Sequence, residues 1–279
     1  MILVTGATGN VGSELVRALA GMGQPVRALT RGDGRAGFPP GVEAVSGDLN
    51  DPASLRPALR GAAGVFLMPG YADMPGVLAE ARQAGVARVV QLSGSSAGID
   101  DPDNAITRYM TETEEAVRAS GLPWTILRPA AFMSNTLGWA PQLRAGDVVR
   151  APFATVRQAV TDPADIAAVA ALALTGDGHE GRVYPVSGPE PLTPADRVAI
   201  LAQVLGRPLR FEAQPDDEAR AEMSASMPAK YVDAFFRFYA DGTLDESMVW
   251  PTVHDLTGRP PRTFAQWAAA HADEFAPTR

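Results

Sequence analysis

The feature that most constrains this chain is a glycine turn close to its start. Thr5-Gly6-Ala7-Thr8-Gly9-Asn10-Val11-Gly12 follows an apolar run over residues 1–5. It precedes residues 11–22, where Val11, Leu15, Ala18, Leu19 and Met22 share one helical face. A buried strand, a G-x-x-G-x-x-G turn and a helix open a βαβ unit. Each glycine has its own task there. Gly6 permits a sharp exit from the strand, Gly9 removes a Cβ where backbone approaches a diphosphate, and Gly12 lets helix and sheet pack closely. The amides of Thr8, Gly9, Asn10 and Val11, with the helix dipole behind them, suit an anion. The turn predicts a dinucleotide site; the competing reading is an ordinary strand–helix connection.

The rest of the chain favours the first reading. Strands are predicted over 25–29, 42–45, 64–68, 86–92, 124–127 and 182–186, and helices over 76–84, 104–120 and 162–174. Asp51 and Asp162, each followed by proline, predict helix caps. Such alternation gives an α/β fold, a doubly wound parallel Rossmann sheet covered on both faces. Past Gly188 the rhythm changes. Helices over 193–205, 216–223, 229–239 and 263–275, with a short strand over 209–211, predict a smaller, mostly helical C-terminal lobe. The expected division is 1–188 for the nucleotide domain and 189–279 for a substrate-pocket lobe, with the loop 133–160 a candidate contributor to the lobe.

The end of the second strand addresses the cofactor's ribose. An acidic residue there would hydrogen-bond a 2′-hydroxyl. This strand ends Ala28-Leu29-Thr30-Arg31, with Arg35 close behind. A guanidinium pairs with a 2′-phosphate through charge-assisted bonds, so NADP(H) is expected over NAD(H), although Asp33 lies in the same turn.

TGATGNVG at the start, Val26-Arg27-Ala28-Leu29-Thr30-Arg31, Gly47-Asp48-Leu49-Asn50-Asp51-Pro52, Val90-Gln91-Leu92-Ser93 and Trp124-Thr125-Ile126-Leu127-Arg128-Pro129 resemble the NmrA-like, atypical branch of the short-chain dehydrogenase/reductase superfamily. The resemblance covers residues 1–188 well and is loose beyond. It implies that Asp48 and Leu49 lie beside the adenine, Met68 and Pro69 along the cofactor, and Ser93 near the nicotinamide. It implies that Pro129, Ala130 and Phe132 close the pocket. Members of the branch include NAD(P)H-dependent reductases of quinones, azo dyes, plant phenylpropanoids and imines, and NADP(H)-binding redox sensors.

Typical members of the wider superfamily pass a proton from a Tyr whose pKa is lowered by a Lys four residues on. Here Lys230 is the one lysine, and no tyrosine has Lys at the fourth position after it. Aligned on the helix carrying Glu112, Glu114 and Glu115, Ile106 takes the Tyr position and Met110 the Lys position. Tyr109 and Ser93 are the remaining candidates for a catalytic proton. Two functions stay open: an NADPH-dependent reductase of a flat conjugated acceptor (quinone, imine or azo type) that transfers hydride directly, and a non-catalytic sensor acting through a protein partner.

Other features bound the field. Gly94-Ser95-Ser96-Ala97-Gly98 matches a hydrolase elbow, but no oxyanion segment accompanies it. Asp100, Asp101 and Asp103 read as a solvated turn, and the three histidines show no metal spacing. Tyr231, Phe235, Phe236, Phe238 and Tyr239 read as lobe core first and as pocket wall second. With no cysteine there is no thiolate chemistry or disulfide. A net charge of -8 without a basic stripe argues against direct nucleic-acid binding. No apolar run nears the roughly 20 residues needed to span a bilayer, and no signal peptide is read, so a cytoplasmic protein is expected. Oligomeric state is left open.

Overall fold

The computed structural model describes residues 1–32 and 37–276. Arg35 and Asp33 lie outside the described residues. In chain order the elements are β1 (Ile2–Val4), α1 (Asn10–Gly21), β2 (Val26–Thr30), β3 (Glu43–Ser46), α2 (Arg56–Leu59), β4 (Gly64–Leu67), α3 (Met74–Gln83), β5 (Arg88–Leu92), α4 (Ala105–Ala119) and β6 (Trp124–Pro129). They continue with α5 (Ala140–Ala145), β7 (Val148–Ala151), α6 (Pro163–Thr175), β8 (Arg182–Val186), α7 (Pro194–Leu205), β9 (Arg210–Ala213), α8 (Asp216–Ser224), α9 (Ala229–Tyr239), α10 (Thr252–Thr257) and α11 (Phe264–Ala270).

Seven parallel strands form one sheet in the order β3-β2-β1-β4-β5-β6-β8. The chain runs outward from β1 in one direction through β2 and β3, and in the other from β4 onward. The crevice at the carboxyl ends of β1 and β4 is therefore the topological switch point, where open α/β sheets bind ligands. The glycine turn leaves β1 there. One sheet face packs Val11, Leu15 and Leu19 of α1 and Ile166, Ala170 and Ala173 of α6; the other packs Leu59, Val77, Leu78 and Val117. Leu15 and Leu19 are fully buried, each contributing about 1.5–3 kcal/mol by area. The alanines of α6 let α1 lie close.

The predicted elements are present with shifted ends, and four corrections follow. Asp51 does not cap a helix with its side chain; a 3-10 turn (Pro52–Leu55) intervenes before α2. The Ser54 hydroxyl instead ties that turn, accepting from the Asp48 N–H and donating to the Asp51 carbonyl. Asp162, by contrast, caps α6, accepting from Ala164 N at 2.8 Å. The predicted helix 263–275 is split: α11 ends at Ala270 and a 3-10 turn (Ala272–Phe275) follows. The His271 ring donates from Nδ1 to the Trp267 carbonyl, the acceptor that another α-turn would require. Residues 133–160 are not a loop. They hold a 3-10 segment (Met133–Trp139), α5 and β7, and β7 pairs in parallel with β9. Met133, Leu143 and Val149 from this stretch share a core with Leu201, Phe264 and Trp267. Finally, Asp101 is not solvated. Its carboxylate accepts from Arg237 at 2.7 Å, and Asn104 donates to the Ala234 carbonyl, so α9 is tied to the start of α4.

Candidate active site

The turn after β1 is built around what its glycines lack. Gly6 has φ +61°, the left-handed region, and a Cβ there would meet the Met68 side chain at 2.7 Å. At Gly12 a Cβ would lie 2.6 Å from the Gly6 carbonyl carbon and 3.1 Å from Ala7 Cα. Gly12 thus makes room for the turn's own backbone, a closer neighbour than the sheet predicted for it. Gly9 is the N-cap of α1 and has no side chain to cap it, and Thr8, Gly9 and Asn10 are exposed. Buried Val11 anchors the turn in the core. The first-turn N–H groups are left for an anion, a fit to a nucleotide diphosphate. Thr5, which sequence reasoning passed over, locks this edge: its hydroxyl donates to the Phe66 carbonyl at 2.9 Å and accepts from Met68 N at 3.0 Å. That places Met68 and Pro69 beside the turn.

Along the same edge, Thr30 donates to the Gly32 carbonyl at 2.7 Å and accepts Gly47 N–H on its own carbonyl at 3.0 Å. Arg31 stands exposed between these anchors. Asp48 is exposed, and its Oδ1 accepts from Asn50 N and Nδ2. The Leu49 side chain is buried in the core.

Beyond Met68 and Pro69 a cavity of about 530 Å³ opens, walled by Ile106, Tyr109 and Met110 of α4, Phe132, and Tyr231 and Phe235 of α9. An inner extension of about 210 Å³ reaches Ser95, Pro129, Phe238, Tyr239 and Glu246. The aromatic helix divides its labour. Val232 and Phe236 pack with Ala219, whereas Tyr231 and Phe235 face the cavity. Ile106 and Met110, the residues expected at the Tyr and Lys positions, both line this cavity.

Tyr109 sits with its ring edge-on to Tyr231, centroids 6.5 Å apart. Burial, and secondarily Tyr231, push its phenol above the ordinary tyrosine range. Ser93 is buried and donates to Glu114 Oε1 at 2.7 Å. Glu114 also takes a two-pronged bond from Arg128, at 2.8 and 2.7 Å, and one from Arg118 at 3.1 Å. Burial alone would raise the Glu114 carboxyl, but the bonds from Arg128, Ser93 and Arg118 together hold it below its ordinary value. Ser93 is therefore fixed by a carboxylate on α4, a partner invisible to local sequence pattern. Ser96 of the elbow motif is buried in a 3-10 turn (Ser95–Gly98), which removes the exposed nucleophile a hydrolase needs. Among the described residues no three His, Asp or Glu side chains are grouped to hold a metal, and no helix is long and apolar enough to cross a membrane.

Residues 6–177, more than half of the chain, match the NAD(P)H-binding family. The chain is an NmrA-like NAD(P)H-binding protein. This NmrA-like protein is similar over its whole length to curated relatives. It is 49% identical to a (4-alkanoyl-5-oxo-2,5-dihydrofuran-3-yl)methyl phosphate reductase of Streptomyces griseus, over 99% of this chain and 100% of that one. It is 39% identical to an NAD(P)H azoreductase of Xenophilus azovorans, over 99% of both. An NADPH-dependent quinone oxidoreductase of Escherichia coli, solved with NADPH, superposes with a TM-score of 0.80 at 26% identity, covering 98% of this chain and 100% of the other. The doubly wound parallel fold and the nicotinamide dinucleotide as cofactor are thus shown.

Proposed function

We propose that this NmrA-like protein is an NADPH-dependent reductase of a flat, conjugated acceptor. The observation that carries the reading is the apolar, aromatic-walled cavity beside Ser93, with Ile106 and Met110 at the positions where a Tyr–Lys pair would stand. Bound NADPH supplies hydride. A simple ketone would also need an acid at its oxygen as charge develops. A quinone, an imine or a carbon–carbon double bond conjugated to carbonyls spreads that charge over its own framework. The chain then has to hold donor and acceptor in contact and exclude water. The names of the relatives support the same class, since furanone, azo and quinone acceptors are all conjugated.

In this reading the amides of the glycine turn hold the diphosphate, and Met68, Pro69 and Phe132 flank the nicotinamide half. Pro129 backs the pocket, and Ser93 is a positioning residue whose proton belongs to Glu114. Tyr109 contributes shape. Tyr109→Phe is expected to keep turnover within about twofold across pH, measured by steady-state NADPH oxidation; a pH-dependent loss above tenfold would return the proton role to Tyr109. Arg31 is the residue that tells NADP(H) from NAD(H). Arg31→Ala is expected to weaken NADPH about tenfold or more in calorimetry and leave NADH unchanged, while equal loss for both would remove Arg31 from ribose recognition.

The function itself is tested by incubating the protein with NADPH and a panel of acyl-butenolides, quinones, azo dyes and imines, and following the absorbance of the reduced nicotinamide. Oxidation with at least one class is expected. Tight NADPH binding with no oxidation across the panel would move the protein to the second reading, a sensor, which the missing Tyr–Lys pair favours.

A further inference from the structure

At the inner end of the cavity three polar side chains converge on one carboxylate. Glu246, in the segment after α9, is only 7% exposed. Its Oε1 accepts the Ser95 hydroxyl at 2.6 Å. Its Oε2 accepts Gln158 Nε2 at 2.8 Å and the Tyr239 hydroxyl at 3.0 Å. The main chain is pinned as well, with Ala159 N–H donating to the Glu246 carbonyl at 2.7 Å. Ser95, Tyr239 and Glu246 line the inner cavity, and Gln158 is buried with them. Arg197, likewise 7% exposed, stacks its guanidinium 5.0 Å from the Trp139 ring centre and makes no ion pair among the described residues. Burial brings it down to about 10, opposed by the nearby charges of Tyr239 and Glu246. Burial, and then Glu246, push the Tyr239 phenol upward, so it stays protonated and keeps donating.

A hydroxyl has a single proton to give. Ser95 and Tyr239 both commit theirs to Glu246, as Ser93 commits its own to Glu114. What Ser95, Tyr239 and Glu246 present to the cavity is therefore lone pairs. A carbonyl, ether or anionic group placed against them would lose its hydration and find no proton there, whereas a hydroxyl or amine would find several acceptors. Around them Phe132, Phe235, Phe238 and Leu244 form the apolar part of the wall, and exposed Asn135 also lines it.

We propose that the inner end of the cavity recognises a hydroxyl or amino group carried by the acceptor, with Glu246 as the residue that sets this specificity. The proposal rests on reading the cavity as the acceptor's site. Sites built to hydrogen-bond a substrate hydroxyl reject the analogue lacking it, because their polar groups are then left unmatched. Hydroxymethyl, methyl (menadione) and methoxymethyl naphthoquinones form a matched series. Each is titrated by calorimetry into the protein saturated with NADP+, which cannot reduce it, and NADPH oxidation is followed separately. The hydroxymethyl compound is expected to bind at least tenfold more tightly than the other two. In Glu246→Gln the amide oxygen takes the Oε2 position, where Gln158 and Tyr239 donate, so the new N–H2 donates toward Ser95 and frees its proton, and the preference is expected to shrink or turn toward the methoxymethyl compound. NADP+ affinity should be unchanged, which a general loss of structure would not allow. Equal affinities in the wild type, or the same preference in Glu246→Gln, would overturn the assignment, and NADPH oxidation alongside equal affinities would leave the reductase reading standing. Binding of none of the three would overturn the assignment and remove naphthoquinones as acceptors, while the reductase reading is decided by the wider panel of acceptors.

Discussion

Gly12→Ala is expected to weaken NADPH about 100-fold. The added Cβ would lie 2.6 Å from the Gly6 carbonyl carbon and 3.1 Å from Ala7 Cα, atoms of the main chain that no rotamer change can move aside. The turn must shift, and with it the N–H groups that face the diphosphate. Overpacking of this kind costs about 1–3 kcal/mol, and backbone contact places Gly12 at the upper end. A loss near 3 kcal/mol in the bound geometry is about two factors of ten in Kd. At Gly21, at the other end of α1, an added Cβ would meet no heavy atom within 4 Å, and φ is not positive. Gly21→Ala should therefore be neutral or slightly stabilising and leave Kd alone. Calorimetry on the pair separates the effects. Unchanged NADPH affinity in Gly12→Ala would remove the turn from cofactor binding.

Glu114→Gln is expected to be among the most destabilising single substitutions outside the glycine turn. The wild-type carboxylate is 4% exposed and accepts from Arg128, Arg118 and Ser93. The isosteric amide keeps the volume but leaves Arg128, whose side chain is 26% exposed, without its anion. Breaking a buried pair from one side costs about 3–5 kcal/mol, and the partial exposure of the arginines reduces this to about 2–3 kcal/mol. The pH dependence has a definite sign. The folded carboxyl is held below its unfolded value, so its stabilisation is fully present above the unfolded pKa of about 4.3 and is lost as pH falls through the lower folded value. Urea unfolding should show a gap between wild type and variant at neutral pH that narrows in acid. A gap of constant size at all pH values would mean that shape, not charge, is what Glu114 contributes. Because the amide offers one acceptor oxygen where the carboxylate offered two, the bonds of Ser93, Arg128 and Arg118 cannot all be kept, and the variant should also reposition the cavity floor, read as a raised KM in the oxidation assay.

Much of the cofactor half was legible because its signals are local. The spacing of Gly6, Gly9 and Gly12, the run of Leu15 and Leu19, and the cap at Asp162 each depend on neighbours within about one helical turn. The segment 133–160 was not legible for the opposite reason. Its four-residue strand β7 finds its partner β9 some sixty residues on, and such short strands form only when the partner and the core beneath them exist. The aromatic helix was half legible. Periodicity placed Tyr231, Val232, Phe235 and Phe236 on one helix, but which of them face a cavity and which a core depends on the packing of α4 and α8 around it.

The order of residues by itself determined a parallel α/β sheet, the glycine spacing of the first turn and the absence of any tyrosine with Lys at the fourth position after it, since periodicity, glycine spacing and residue identity are properties of neighbouring positions. Only the folded chain decided that Ser93 answers to Glu114, that Asp101 holds α9, and that Ser95, Gln158 and Tyr239 converge on Glu246. All of these bonds except that of Tyr239 join residues from 21 to 151 positions apart, and hydrogen bonding acts over a few ångströms of space, whatever the distance along the chain.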